Sequence, residues 1–584
     1  MVRARFSAVL LCAAIVVFGR GLAYPFLGDW DDGEYVLGAI DRLSPAIDNV
    51  VYWFTHFHAH NYHPLTMLSY MVDYRLWGTN PVGYHLQSLL WHVVAATALY
   101  SVFLRLRIAP EIAAIAVLVF AVHPQRVESV VWISERKEVM GAAFYLLAFD
   151  RYLAGRQAGK TMHILPYVLW IAALLSKAMA ITLPAVLVLY ELHRGSRPGE
   201  IVRRCWPYWL PVPIMAAVTV AAQGTAIATV FSWSRRLTVV PHNLMWYFET
   251  FVAPIRLSPL YPRVELSTVL LIKASVIGCL LIGGLVYLAR RHRTLLVRTV
   301  LPLVLAYLCI GAPVIGVFSL GAIDHADRYS YLISTVVLLA IAGACTAIRK
   351  MDVTTGDATR LRTMVCSPRG RRTAAVLCTT YVAALAIVAL LYVPTFRSTH
   401  DLWLTAALDP RPNPYALGAL AEQELMRRNY QQVVQLADEL ESADSRALTK
   451  AHKAANYLKA EYLRASVLLR RRHFAAAAGR FEALQPHLDT PSTATLFRGN
   501  HVRAKLGECY RELDRFAEAT ALYDEILRTA PSADDFLNRG VCYFNMQQYE
   551  AAAADFQSAL ALDPDHARAA GLHEAAAGRL DKSP

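Results

Sequence analysis

Acidic side chains crowd one short segment, Gly28-Asp-Trp-Asp-Asp-Gly-Glu34, which holds four carboxylates within six residues. Close carboxylates repel one another, so one of them can have a raised pKa and act as a general base, or the group can gather a divalent cation. A solvated loop that caps a following helix explains the same residues equally well. The spacing alone makes these four carboxylates candidates for chemistry and leaves both interpretations open.

Four histidines follow within eight residues, His56, His58, His60 and His63, and the last precedes Pro64. Imidazole is a common ligand of transition metals, but the sequence fixes no acidic or thiolate partner beside these side chains. We therefore predict no metal site. His63 is instead expected to contact substrate, or to make a structural contact at the start of an interfacial helix.

A second polar segment, residues 123 to 138, interrupts two apolar stretches and contains His123, Glu128 and Arg136. Charges at membrane depth are costly and tend to be functional. If the segment is one helix, Glu128, Trp132, Glu135 and Arg136 lie on neighbouring turns. A salt-bridged helix that packs on the acidic segment is the structural alternative.

A third polar segment, residues 324 to 331, places Asp327, Arg328 and two tyrosines at the start of an apolar stretch. An arginine there can grip a phosphate through bidentate hydrogen bonds. The tyrosines are better explained as anchors at the membrane interface. Lys177 and the pair Arg235–Arg236 can add positive charge around the same anion.

Membrane-spanning helices are the elements that must position these segments. The chain has 584 residues, 56% of them hydrophobic, and uncharged runs such as 299–320 and 374–394 approach the roughly 20 residues that cross a bilayer. No such run follows Arg397. We predict an integral, multi-pass membrane domain over residues 1–396 and a soluble helical domain over 397–580.

About eleven crossings are expected, with the amino-terminal stretch kept as the first membrane helix instead of a cleaved signal peptide. The candidate spans are 6–24, 86–104, 111–123, 139–153, 162–176, 178–192, 206–222, 267–289, 299–320, 329–348 and 374–394. The formal charge of +13 would suggest nucleic acid in a soluble protein, but here Lys and Arg gather in short loops and orient the chain. This topology puts the three polar segments and the carboxyl-terminal domain on the non-cytoplasmic side, and no nucleic acid partner is expected.

The carboxyl-terminal domain contains an internal repeat. Gly507, Cys509, the run Phe516-Ala-Glu-Ala and Pro531 recur 33 residues later as Gly540, Cys542, Tyr549-Glu-Ala-Ala and Pro564. This is the tetratricopeptide pattern, one residue short of its usual 34. Looser copies over 404–438 and 456–488 predict about four units stacked into an α-solenoid, whose groove binds a peptide or protein. The matched cysteines are expected in the repeat core, and the nine cysteines of the chain indicate no disulfide framework.

The polar segments, taken together and in this order, resemble the transmembrane and tetratricopeptide repeat-containing O-mannosyltransferase family. The resemblance covers nearly the whole chain. The segments that carry it are Trp30-Asp-Asp32, His63-Pro-Leu-Thr66, Trp77 to His85, His123-Pro124 with Val127-Glu128 and Arg136, Lys177 with Ile181-Thr182, and Ala326 to Leu332, followed by Trp403, Ala407-Leu408, Pro410 and Asn413. The chain departs from the family's usual residues at Ala178 and Asp327.

The resemblance implies an all-α, GT-C-like membrane bundle that transfers a sugar, typically mannose, from a polyprenyl phosphate to a Ser or Thr hydroxyl of a protein. Asp31 or Asp32 would be the base. His63, His123, Glu128, Arg136, Lys177, Arg236, Asp327 and Arg328 are the expected substrate-binding residues. No cofactor is implied, because the lipid-linked sugar is a substrate.

Two other functions suit a chain with a membrane half and a repeat half. An inactive membrane-anchored scaffold would bind partners through its repeats and would not need the acidic segment. A polysaccharide ligase or polymerase is also polytopic, but the acidic pair stands directly after the first helix here and not in a late loop.

Overall fold

The computed structural model describes residues 2–159, 164–224, 233–265, 267–317, 323–350, 367–443, 450–488 and 499–580. The described residues are helical and contain no strand beyond an isolated bridge between His58 and Asn61. The chain divides into two compact units, Met1–Arg411 and Pro412–Pro584. The first unit extends past the predicted boundary at residue 397, because helix Thr399–Ala407 packs Trp403 against Trp30 in the first unit.

Seven helices among the described residues are long and apolar enough to cross a membrane. They are Arg5–Ala23, Pro81–Arg105, Pro198–Gln223, Thr268–Arg291, Arg293–Gly311, Asp327–Arg349 and Pro368–Phe396. Pro110–Val122 and Ile164–Ser176 are shorter apolar helices. The remaining predicted spans, 139–153 and 178–192, fall in helices Arg136–Gln157 and Leu183–Arg194 with the preceding turn. The all-α membrane fold is therefore confirmed, while the number of eleven crossings stays a prediction.

Helix Thr268–Arg291 shows why such segments need a bilayer. It buries none of its side chains, and Val269 and Leu280 are 74% and 70% exposed. At 1.5 Å per residue its 24 residues extend about 36 Å, enough for a hydrocarbon core about 30 Å thick. An apolar helix that leaves all of its side chains at least partly exposed is expected to face lipid.

Short helices connect the long ones on the side that carries the polar segments. They are Asp31–Tyr35, Ile47–Thr55, Pro64–Trp77, Arg126–Val131, Ile133–Glu135, Ala178–Thr182 and Asp327–Tyr329. Helix Pro64–Trp77 begins with proline, which suits a first helical turn because its missing N–H would have no helical partner. A shared apolar core that includes Tyr35, Trp53, Tyr70 and Ile133 holds several of these helices together.

The second unit consists of helix pairs followed by a single helix. The pairs are Pro414–Met426 with Tyr430–Ser442, Lys450–Arg470 with Phe474–Leu484, Gly499–Glu512 with Phe516–Thr529, and Ala533–Asn545 with Tyr549–Leu562; helix Ala567–Leu580 follows. A Cβ atom at Gly507 or Gly540 would lie within 3 Å of the ring of Tyr523 or Phe556, respectively. The repeated glycines therefore permit close contact within each pair, and Cys509 and Cys542 are buried, as predicted.

Candidate active site

Asp32 is a buried carboxylate whose oxygens are occupied by neighbouring donors. Its Oδ2 accepts a hydrogen bond from the Leu27 backbone N–H at 2.9 Å, and its Oδ1 accepts from the Ser134 backbone N–H at 2.9 Å and from the Ser134 hydroxyl. Burial raises the pKa of Asp32 to about 6, although these hydrogen bonds favour the ionised form. Asp32 therefore ties the acidic segment to the segment after residue 123.

Asp31 precedes Asp32 and differs from it in exposure and in hydrogen bonding. Its side chain is partly exposed, and its carboxylate accepts no hydrogen bond from the residues that the structure describes. Burial is the largest influence on its pKa and raises it, while Lys137 and Arg328 act in the opposite direction. Of the two aspartates, Asp31 is the one whose oxygens are open to a ligand.

Glu128 and Arg328 form a buried ion pair beside this carboxylate. The Arg328 guanidinium contacts Glu128 Oε1, and the Arg328 backbone N–H donates to Glu128 Oε2 at 2.8 Å. The pair joins helix Arg126–Val131 to the turn Asp327–Tyr329, although 200 residues separate the two side chains in sequence. Burial raises the pKa of Glu128 against the effect of Arg328.

Glu135 lies between three cations. Its Oε1 is 3.0 Å from Lys137 Nζ and 3.5 Å from Arg328 Nε, and its Oε2 is 3.6 Å from Lys177 Nζ. Burial alone would raise the pKa of Glu135, but Lys137, Lys177 and Arg328 outweigh burial and lower it to about 2. Lys177 also contacts Glu138. We call the six side chains Glu128, Glu135, Glu138, Lys137, Lys177 and Arg328 the charged cluster.

Sequence reasoning missed Ser134, Glu135, Lys137 and Glu138 because the segment is not one helix. Trp132 adopts extended dihedral angles, with ψ of 117°, between helix Arg126–Val131 and the turn Ile133–Glu135. This break corrects the expectation that Glu128, Trp132, Glu135 and Arg136 follow one another on adjacent helical turns. After this break, Lys137 contacts Glu135, whereas Arg136 lies outside the charged cluster.

Arg136 is fully buried and is part of a separate network. Its guanidinium contacts Asp73 and donates to Gln87 Oε1 and the Tyr84 carbonyl, both at 2.8 Å. It also lies over the Tyr70 ring, 4.5 Å from the centroid. These contacts give Arg136 a structural role and do not bring it to the charged cluster.

His123 and Asp327 are likewise held by protein partners. The two ring nitrogens of His123 pair with the Phe251 carbonyl at 2.8 Å and the Gln125 backbone N–H at 3.2 Å. Asp327 accepts from the Tyr261 hydroxyl at 2.9 Å and from Gln125 Nε2 at 3.4 Å. Arg236 lies half-buried on helix Trp233–Val252, and its predicted role in binding substrate stays a prediction.

His63 lines a small pocket with Tyr35, Trp53 and His58. Burial, together with Lys137 and Lys177, lowers the pKa of His63 to about 3, so the imidazole is neutral. The other histidines of its segment turn to local partners, such as the Glu34 carbonyl for His58 and the Tyr52 ring for His56. Within the described residues, no three His, Cys, Asp or Glu side chains are arranged to hold a metal ion.

Three tryptophans border the acidic residues. The Trp30 ring lies with its centroid 4.1 Å from that of Trp403 and 5.6 Å from that of Trp132. The Arg328 guanidinium in turn lies 5.5 Å from the Trp132 centroid. We call Trp403, Trp30 and Trp132 the tryptophan cluster. It joins the acidic segment, the segment after residue 123 and helix Thr399–Ala407.

Comparisons with known proteins find one matching family model and several curated relatives. The family model for the tetratricopeptide repeat matches residues 533–566. Mouse "Protein O-mannosyl-transferase TMTC3" is 32% identical over 136 residues, which are 23% of this chain and 15% of that protein. Human "Protein O-mannosyl-transferase TMTC4" is 31% identical over 170 residues, 25% of this chain and 23% of that protein.

A nematode relative gives a longer alignment. "Protein O-mannosyl-transferase F38B6.6" of Caenorhabditis elegans is 26% identical over 207 residues, which are 34% of this chain and 29% of that protein. In each of the three comparisons the chain therefore spans less than a third of the relative's own length.

Proposed function

We propose that this chain, a relative of the transmembrane and tetratricopeptide repeat-containing O-mannosyltransferases, transfers a hexose from a polyprenyl phosphate to a hydroxyl group of a protein. One observation carries the proposal: Asp31, a partly exposed carboxylate with no hydrogen-bond donor among the described residues, lies close to two buried cations, Lys137 and Arg328. The names of the relatives specify mannose and a protein acceptor for those proteins. We propose the same classes of substrate here.

The proposed reaction is a single displacement at the anomeric carbon. Asp31 takes the proton of a Ser or Thr hydroxyl, and the oxygen forms a bond to C1 of the hexose while the bond from C1 to the phosphate oxygen breaks. A carboxylate within hydrogen-bond reach of the hydroxyl is the group that such a proton transfer requires. The products are the glycosylated protein and the polyprenyl phosphate, and the configuration at C1 is inverted.

The leaving phosphate gains negative charge as its bond breaks. Arg328 and Lys137, the cations near Asp31, can stabilise this charge, and Lys177 can add to it from its position beside Glu135. Fixed charges in a site shielded from water do so most effectively. Arg328 can also bind two phosphate oxygens at once. Since each cation pairs with a carboxylate before the donor binds, we expect Glu128, Glu135 and Glu138 to hold the cations in place.

Two features outside the site support the assignment of these substrates. Apolar helices with lipid-facing side chains bring the site to the membrane, where a polyprenyl chain resides. Stacked tetratricopeptide repeats form extended concave surfaces that bind peptides. We propose that the polar segments and the repeats lie on the non-cytoplasmic side, and that the repeats recruit the acceptor.

The test compares Asp31→Asn with the wild-type full chain in lipid nanodiscs, supplied with polyprenyl-phosphate mannose and an acceptor protein. Removal of a general base lowers the rate by about 10²- to 10⁴-fold, and we expect this loss at unchanged thermal stability. Glu34→Gln, which neutralises an exposed carboxylate of the same segment, should retain activity. Undiminished transfer by Asp31→Asn refutes the catalytic assignment. Use of a diphosphate-linked glycan in place of the monophosphate donor indicates a ligase.

A further inference from the structure

Trp403 is a buried side chain outside the three polar segments. It lies on helix Thr399–Ala407, which follows the last candidate membrane helix and precedes the end of the first unit at Arg411. Only 2% of Trp403 is exposed. Its ring centroid lies 4.1 Å from that of Trp30, with the planes inclined at 50°. Trp30 is the residue directly before Asp31.

The helix that carries Asp31 has few means to fix its own position. It comprises only Asp31–Tyr35, and no side chain caps its amino terminus at Trp30. Helices of this length are not stable by themselves in water, because nucleating a turn fixes several residues for one hydrogen bond. The position of Asp31 must therefore come from tertiary contacts of its neighbours.

Those contacts hold in place the residues on both sides of Asp31. On the carboxyl-terminal side, Asp32 is tied by hydrogen bonds to Leu27 and Ser134. On the amino-terminal side, the described ring contacts of Trp30 are with Trp132 and Trp403. Aromatic rings in contact stabilise a structure beyond the effect of the area they bury. The tryptophan cluster is thus the second of two anchors that hold the Asp31 backbone.

We propose that Trp403 is a positioning residue for Asp31, acting through Trp30, so that the segment leading into the repeats forms one wall of the active site. The proposal rests on the proposed function, in which Asp31 is the base. It extends that function by making catalysis depend on a helix outside the three polar segments.

Shortening the Trp403 side chain is expected to lower kcat while leaving the cations in place. A base displaced by about 1 Å can cost on the order of 10²-fold in rate, so Trp403→Ala should lower kcat by that order with little change in the KM of the donor. Trp403→Phe keeps a ring against Trp30 and should restore most of kcat. Leu402→Ala, which empties an equally buried position of the same helix, serves as the control and should keep a nearly normal kcat.

The pH profile separates positioning from a general loss of folded protein. Asp31 is surrounded by Lys137, Glu135, Arg328 and Glu34. Burial keeps its pKa raised, so loosening of the segment should move the acidic limb of the kcat profile to lower pH in Trp403→Ala. A variant that is merely less folded keeps the wild-type limb at reduced amplitude.

Backbone hydrogen exchange over residues 28–36 tests the proposal without relying on activity. We expect faster exchange of this segment in Trp403→Ala than in wild type, Trp403→Phe or Leu402→Ala. Unchanged exchange in Trp403→Ala overturns the positioning role, and so does an equal loss of kcat in Trp403→Ala and Leu402→Ala. If exchange changes as expected but the wild type transfers no hexose, the proposed function fails while the contact between Trp403 and the Asp31 segment stands.

Discussion

Neutralising Glu135 is the sharpest perturbation of the charged cluster. Glu135→Gln keeps the size of the side chain, but it removes the carboxylate that lies within 3.6 Å of Lys137, Lys177 and Arg328. Glu128 and Glu138 still pair with Arg328 and Lys177, whereas Lys137 loses its only carboxylate partner among the described ion pairs. Burying an ion with no partner is unfavourable. We therefore expect a large loss of stability.

The size of this loss follows from the pKa of Glu135. Its ordinary value is 4.5, and in the folded chain Lys137, Lys177 and Arg328 overcome burial and hold it at about 2. At about 1.4 kcal/mol per pH unit, the difference corresponds to roughly 3 kcal/mol of stability at neutral pH. Because the pKa of the folded chain is depressed, this contribution is present above pH 4.5 and is lost as the pH falls towards 2.

The assay is the unfolding midpoint of the full chain in detergent, measured for the wild type and for Glu135→Gln at a series of pH values from 7 to 3. Glu135→Gln should unfold at a clearly lower temperature than the wild type at pH 7, and the difference between the two unfolding midpoints should narrow below pH 4.5. Glu34→Gln, an exposed carboxylate of the acidic segment, should unfold like the wild type throughout. If the difference between the two midpoints is constant with pH, or is absent at pH 7, the electrostatic account of Glu135 is refuted.

Two predictions concern packing away from the charged cluster. Gly540→Ala should lower the unfolding temperature, because the added Cβ would lie 2.7 Å from Phe556 Cε1 and overpacking costs about 1–3 kcal/mol, more than the roughly 1 kcal/mol gained in helix propensity. Gly571→Ala, which meets no atom within 4 Å, should raise it, and equal effects of the two changes would contradict this. Asp73→Ala should destabilise the chain by about 3–5 kcal/mol by leaving buried Arg136 without its carboxylate, while the active fraction keeps the wild-type pH profile. A shifted pH profile would instead link Arg136 to catalysis.

Much of the architecture could be predicted because it follows from hydropathy and periodicity. Long apolar runs predict helices in any membrane context, and the match between Gly507 and Gly540 predicts stacked helix pairs. The family model that matches residues 533–566 confirms the repeat. The resemblance to the O-mannosyltransferases is confirmed by the relatives found.

The site could be predicted only in part. Asp31, Glu128, Lys177 and Arg328 do come together through the charged cluster, and each lies in a polar segment next to an apolar helix. The sequence does not reveal which of Arg136 and Lys137 joins the charged cluster. That depends on the backbone break at Trp132, which no local residue signals. Trp403 was recognised only as part of a motif, and its contact with Trp30 requires the tertiary fold.

The charge balance of the site bears on the order of events in the proposed reaction. Three carboxylates face three cations in the charged cluster, so Asp31 adds one negative charge to a neutral group. A phosphodiester donor brings a second negative charge, and a nearby like charge raises the pKa of a carboxyl group. Donor binding should therefore move the pKa of Asp31 further towards the working pH, where a general base is most effective. When the bond from C1 to the phosphate oxygen breaks, the phosphate gains another negative charge, and the proton on Asp31 offsets it within the same site.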